Sequence, residues 1–189
     1  MSLTPYKQLE DRFRRLLSLR DAAAMLHWDM ATMMPAGGAR SRGEQLAALK
    51  AVQHGILTEP ETEFLLQAAL DSDVDDGPEA ANLREMQRMW GRATALSEDL
   101  VVALAKSRSA CETIWRKARA EDDFALVLPH LEKFLSLLRQ AAGAIAEKLD
   151  LSPYDALLDE YEPGGRTREI DLLFGELQGF LPDYLSRAL

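Results

Sequence analysis

The feature that most constrains this chain is a hydrophobic period close to 3.6 residues, kept up almost from end to end, with no sustained alternation of β-branched residues. Apolar side chains spaced i, i+3, i+4, i+7 gather on one face of a helix, whereas on a strand the same spacing would scatter them over both faces. The pattern predicts an all-α protein of amphipathic helices, each burying one stripe against its neighbours. A chain of 189 residues is long enough to bury a proper core. We expect residues 1–189 to form a single helical region without an internal boundary, either one domain or part of a larger one.

Local signals divide the pattern into helices. Thr4 as cap and Pro5 in the first turn open a helix carrying Tyr6, Leu9, Phe13, Leu16 and Leu17, which Pro35 and Gly37-Gly38 stop or bend. A second helix through Glu44, Leu46, Leu49 and Val52 is expected to end near His54, with Gly55 as C-cap. Thr58 followed by Glu61 has capping-box spacing for a short third helix with Pro60 early in it. Pro78 opens a helix through Leu83, Met86 and Trp90, and Ser97 caps one whose apolar face steps through Val101, Leu104, Cys111, Ile114, Trp115 and Ala118. Asp122 or Asp123, then Pro129, begin a long helix with Leu131, Phe134, Leu138, Ala142 and Ile145 inward. Ser152 with Pro153 and Asp155 starts another, and Thr167 starts the last, through Ile170, Phe174 and Leu177. No closing cap follows DYLSRAL, so an apolar helix face is expected to lie open at that end, as a patch or as a contact between copies.

Charge and composition exclude several partners. A net charge of -9 repels phosphate before any local contact forms, which argues against nucleic acid. The basic residues Lys7, Arg12, Arg14, Arg15 and Arg20 are interleaved with Glu10, Asp11 and Asp21, the pattern of a solvated helix face. No apolar run is long enough to span a bilayer, and the opening MSLTPYKQLEDRFRR lacks a signal-peptide core, so no membrane partner is expected. The single cysteine, Cys111, cannot form an internal disulfide, which fits a cytoplasmic location.

The search for chemistry is mostly negative. Helix-borne zinc needs two imidazoles one turn apart, and His27, His54 and His130 are far from one another in sequence. Asp71, Asp73 and Asp75 have the alternate spacing of a calcium loop, but Asp76 stands where that loop needs glycine, and Asn82 where it needs a bidentate glutamate. Neither Gly37-Gly38 nor Gly164-Gly165 completes a phosphate-binding loop. Cys111, Trp90 and Trp115 fall on apolar stripes and are read as core. The stretch YDALLDEYEPG is denser. On a helix, Tyr154, Leu157, Leu158 and Tyr161 make one stripe, with Asp155 and Asp159 one turn apart beside it. Like charges at that spacing cost roughly 0.2–0.5 kcal/mol, so we expect compensation: the helix N-terminus for Asp155, and an arginine or backbone amides for Asp159 and Glu162. Structural polar contacts are the expected role of this segment rather than acid-base work, which needs opposed pKa shifts within a cleft.

Two stretches carry a family resemblance. LHWDMATMMPAGGARSRGEQLAAL, with Trp28, Asp29, Met34, Pro35, Gly37, Gly38 and Arg42, and the later element with Tyr154, Asp155, Leu157, Leu158, Asp159, Tyr161, Glu162, Pro163 and Gly164, resemble the thermostable carboxypeptidase family, also called carboxypeptidase Taq. The resemblance implies a cytoplasmic, two-lobed helical metallopeptidase, a homo-oligomer such as a dimer, that removes C-terminal residues from peptides. It also implies a divalent metal, zinc, held by an H-E-x-x-H helix and a further glutamate. That motif lies beyond Leu189 in the family pattern, so this segment is expected to be the N-terminal part, with no metal, cofactor or catalytic residue of its own and no activity alone. Trp28, Asp29, Pro35, Tyr154, Asp155, Asp159, Tyr161, Glu162, Pro163 and Gly164 are assigned to holding the scaffold. The competing expectation is a stand-alone helical binding or scaffold module without catalysis.

Overall fold

A computed structural model describes residues 3–72 and 77–189. Among them there is no strand. The elements are α1 (Pro5–Thr32), a 3-10 turn (Ala36–Gly38), α2 (Ala39–Thr58), α3 (Pro60–Leu70), α4 (Pro78–Thr94), α5 (Glu98–Ala120), α6 (Phe124–Leu149), α7 (Pro153–Leu158) and α8 (Thr167–Ala188). No helix among the described residues is long and apolar enough to cross a membrane. Asp73, Asp75 and Asp76 of the candidate calcium loop lie outside the described residues.

The starts of the helices follow the caps. The Thr4 hydroxyl accepts from the Lys7 amide at 3.3 Å, Ser97 from Leu100 at 3.3 Å, and Ser152 from Asp155 at 3.1 Å. Each satisfies one of the amides that a helix leaves without an internal partner. Asp122 and Asp123 divide their work: Asp122 takes φ 53° to close α5, and the Asp123 carboxylate accepts from the Ala125 amide at 3.0 Å to open α6. The Asp123 amide returns to the Ala118 carbonyl at 2.8 Å, and the Leu151 amide to that of Ala146 at 3.0 Å past Asp150, also at φ 53°. Both ends are Schellman turns with aspartate where glycine is commoner.

Several boundaries and faces differ from the sequence expectation. Gly55 does not end α2, which continues to Thr58 and is broken at Glu59 (φ -57°, ψ 138°), because the proline that follows forces the preceding residue out of helical geometry. Thr58 makes no capping box. Its hydroxyl donates back to the His54 carbonyl at 2.9 Å, while the Glu61 carboxylate is held by Arg12. Pro129 sits inside α6 rather than at its start. Leu17 and Trp115 face solvent, Trp115 lying beneath the Arg119 guanidinium at 5.4 Å from its ring centre. Arg12 leaves the solvated basic face altogether and binds Glu59 and Glu61.

The chain divides into two compact units, residues 1–141 and 142–189. In the first, α1 lays Tyr6, Leu9, Phe13 and Leu16 against Ile56 of α2, Leu65, Leu66 and Ala69 of α3, and Leu83 and Met86 of α4. Each fully buried side chain of this size contributes roughly 1.5–3 kcal/mol. Buried Thr62 donates to the Ile56 carbonyl at 2.7 Å and so ties α3 to the end of α2. Further along, Ala23 and Met30 of α1 meet Leu46 of α2. α2 runs along α5, and the two helices approach closely because Gly43 faces Ser109; a Cβ at Gly43 would stand 3.3 Å from the serine oxygen. In the second unit Ala142, Ile145, Ala146, Ala156 and Asp159 are buried, whereas α8 buries nothing. Leu173, Phe174, Leu177, Phe180, Leu181 and Tyr184 form an exposed apolar stripe along it, with the Phe180 and Tyr184 rings stacked at 5.4 Å.

Two outcomes are expected. Gly43→Leu should overpack the α2–α5 contact and lower stability by about 1–3 kcal/mol in urea denaturation. The open face of α8 should make the isolated protein associate as its concentration rises, and a Phe174→Asp, Leu177→Asp double variant should restore a monodisperse monomer in light scattering.

Candidate functional site

The first motif closes α1. Its last carbonyls point out of the helix end, where partial negative charge accumulates; one arginine meets a carbonyl there and a second reaches a carbonyl one turn further in. Arg42 of α2 pairs with Asp29 at 2.6 Å and donates to the Leu26 carbonyl at 2.6 Å, with only 15% of its side chain exposed. Arg116 of α5 donates to the Met30 carbonyl while Glu112, one turn back, holds its other nitrogen at 2.6 Å. The Asp29 carbonyl accepts from both Met33 and Met34, and Pro35 then sets the chain extended (φ -62°, ψ 148°). Gly38 lies so near Met34 that a Cβ would come within 3.1 Å of the methionine side chain. Trp28 points away from this junction and is 56% exposed, flanked by exposed Met25 and Met33.

The second motif joins α7 to α8. α7 is only six residues long, so the expected stripe of Tyr154, Leu157, Leu158 and Tyr161 is not realised. Leu157 and Leu158 are half-buried, but Tyr154 and Tyr161 stand in solvent. The inward positions belong instead to the carboxylates. Asp155 accepts from the Thr167 amide at 2.8 Å and from the Thr167 hydroxyl, thereby capping α8 from a different helix. Asp159, buried, accepts from the Gly164 amide at 3.0 Å and has the Arg166 guanidinium at 3.6 Å. Both kinds of compensation expected for Asp159, an arginine and a backbone amide, are therefore present. Glu162 is exposed, and its carbonyl takes the Gly165 amide at 2.9 Å. Gly164 adopts φ 83°, and a Cβ on Gly165 would meet Glu162 at 3.1 Å, so the pair after Pro163 is required by backbone geometry.

The three histidines have separate fates. His54 presents Nε2 to the Ala93 and Leu96 carbonyls at 3.0 and 2.8 Å. Because carbonyls only accept, that nitrogen carries the proton, and the ring closes the C-terminal end of α4. His27 is held below its ordinary pKa, chiefly by burial, with Arg108 adding to the effect. His130 borders a cavity between α2 and α5. Among the described residues no group of three or more His, Cys, Asp or Glu side chains could hold a metal ion. Sequence reasoning singled out Asp155 and Asp159 but missed Arg116, which reaches the end of α1 from 86 residues away and leaves no local pattern.

The Asp155 carboxyl is held below its ordinary range, first by the Thr167 hydroxyl and then by the Thr167 amide. A depressed folded-state pKa makes the contribution complete above the unfolded value, about 3.8, and removes it as pH falls through the folded value. Protection of the Thr167 amide in hydrogen exchange, corrected for intrinsic rates, should accordingly hold above about pH 3.8 and drop as the pH falls below it. Asp155→Asn should abolish that dependence, and equal protection across the range would contradict the assignment.

Comparison with known proteins places the whole chain in one family context. The description "carboxypeptidase Taq (M32) metallopeptidase" matches residues 8–189. Thermostable carboxypeptidase 1 of Thermus thermophilus is 35% identical over 97% of this chain and 38% of its own length. The solved structure of Trypanosoma cruzi metallocarboxypeptidase 1 matches with a TM-score of 0.77 at 34% identity, covering 96% of this chain and 36% of that one. That of Pyrococcus furiosus carboxypeptidase matches with a TM-score of 0.78 at 30% identity, over 99% and 37% respectively. The chain thus spans a little over a third of the length of these relatives. With sequence and helical fold agreeing over nearly all of its residues, the chain belongs to the carboxypeptidase Taq (M32) metallopeptidase family.

Proposed function

We propose that residues 1–189 are the N-terminal helical part of a longer, cytoplasmic, homo-oligomeric carboxypeptidase that removes C-terminal residues from peptides with the help of a divalent metal, zinc. The observation that carries this reading is the asymmetry of coverage: relatives named as carboxypeptidases match 96–99% of this chain, yet it accounts for only 36–38% of theirs. Among the described residues no cluster of candidate ligands is found, and this reading assigns metal binding and bond cleavage to the part of the relatives' length that this chain does not match. Its own contribution is scaffold. Asp155 and Asp159 each accept from main-chain amides of the α7–α8 connection, which suits a carboxylate that holds a loop and not one that shuttles protons. Asp29 and Pro35 fix where α1 ends and the polypeptide turns into α2.

Purified as it stands, the protein should contain no stoichiometric zinc by elemental analysis and should release no C-terminal residue from peptides above the buffer rate. Tight one-to-one zinc with turnover would place the chemistry within these helices and overturn the proposal. A gene that continues past Leu189 into an H-E-x-x-H helix is the matching genetic expectation; a natural stop codon at that point would favour a stand-alone helical module instead.

A further inference from the structure

Two cavities lie side by side along α5. One, of about 410 Å³, is bordered by Arg40, Gly43, Lys106, Ser109 and His130. The other, of about 420 Å³, reaches Met30, Met34, Glu112 and Arg116. Both are bordered by Ala39, Thr113 and Ile114, so they adjoin along α5, and the pair is referred to below as the groove. From Lys106 to Lys117 the helix advances about 16 Å, at ~1.5 Å per residue. That is the length of roughly five residues of extended chain. Small residues at Ala39, Gly43, Ser109 and Ala110 leave the floor low enough for a peptide backbone to approach.

Charge is distributed unevenly along the groove. At the Met30 end the cations are taken: Arg116 is held by Glu112 and the Met30 carbonyl, and Lys117 pairs with Glu121 at 3.9 Å. At the other end Glu44 is the bordering carboxylate, and Arg40 engages it at 3.3 Å. Lys106 is exposed and forms no ion pair among the described residues, with the His130 imidazole bordering the same cavity. In a chain of net charge -9 this end presents an unneutralised ammonium beside an apolar floor.

Resting on the proposed carboxypeptidase function, we infer that this groove binds an extended peptide segment of about five residues, with the carboxylate of an acidic side chain seated at Lys106. The acidic side chain, rather than the chain terminus, is the occupant because removal of a C-terminal residue requires the terminus at the reacting bond, which lies outside this chain. The groove would thus receive substrate residues upstream of the cleaved end and favour those bearing a single Asp or Glu.

Binding to the protein as it stands tests this without metal or turnover. Three acetylated pentapeptides of alanine and leucine serve as probes in calorimetry: one ending in Glu-amide, one in Gln-amide, and one in Gln with a free carboxylate. The Glu-amide peptide should bind about tenfold tighter than the Gln-amide peptide, and 0.5 M NaCl should shrink that ratio. Lys106→Met should bring the two amides to equal affinity, and Ala110→Trp, a change on an exposed helix position, should block both. Equal affinities in the unaltered protein, binding that survives Ala110→Trp, or no binding at millimolar peptide would overturn the inference. Tightest binding of the free-carboxylate peptide would show that the groove takes chain ends and overturn the side-chain assignment. None of these outcomes depends on zinc or hydrolysis, so a failure of the proposed function and a failure of the groove are read from separate experiments.

Discussion

The arrangement of the first unit depends on how α1 is stopped and held. A helix of 28 residues ends with carbonyls that have no internal partner and with a concentration of partial negative charge. Here that end is met by two guanidiniums from different helices, Arg42 from α2 and Arg116 from α5. Each donor reaches a main-chain oxygen and is steadied by a carboxylate, Asp29 in one case and Glu112 in the other. The favourable interaction of a cation with a helix C-terminus is worth about 0.3–1 kcal/mol at the surface, and up to ~2 kcal/mol when partly buried. Its larger consequence is geometric: α1, α2 and α5 share one fixed corner. Beyond that corner α2 and α5 approach closely where Gly43 faces Ser109.

The second unit uses the opposite sign of the same physics. A helix N-terminus wants anions, and α8 obtains one from Asp155 on the preceding helix. Asp159 does the comparable service for the turn, accepting from Gly164 and facing Arg166. Two aspartates one turn apart would repel on an isolated helix; here each is drawn to different donors, so the acidic density of YDALLDEYEPG organises a tight reversal. Carboxylates engaged in this way by main-chain amides serve to hold the connection. This explains why a stretch that looks chemically rich can belong to the frame of a metallopeptidase.

A division of labour follows for the family polypeptide. Under the proposed function, the groove along α5 would hold substrate residues remote from the reacting bond, and binding energy from such residues is a recognised source of catalytic power. The exposed stripe on α8 has the composition of an interface, with leucine and aromatic side chains and few charges between them. An amphipathic helix that buries no side chain gains little from folding by itself, and its apolar face is the part of this chain least accounted for by its own contacts.

The all-α class, the caps at Thr4, Ser97 and Ser152, the break at Pro35 and the family membership were legible in the amino-acid sequence, because periodicity, N-caps and prolines act over a few residues and leave local patterns. Helix C-terminal ends were less legible. Gly55 carries the usual stop signal yet lies inside α2, while Asp122 and Asp150 end helices without a glycine, because Schellman turns depend on whether the chain beyond them can fold back. The face presented at Leu17 and Trp115, the diversion of Arg12 to Glu59 and Glu61, and the exposure of Tyr154 and Tyr161 were decided by tertiary packing. So were the Arg116 contact and the groove along α5, since their partners are tens of residues apart and only the folded backbone brings them within hydrogen-bonding distance. Sequence by itself determined where helices begin and which family they belong to; tertiary structure alone decided which of their charged groups meet, because electrostatic pairing depends on distance through space and not on separation along the chain.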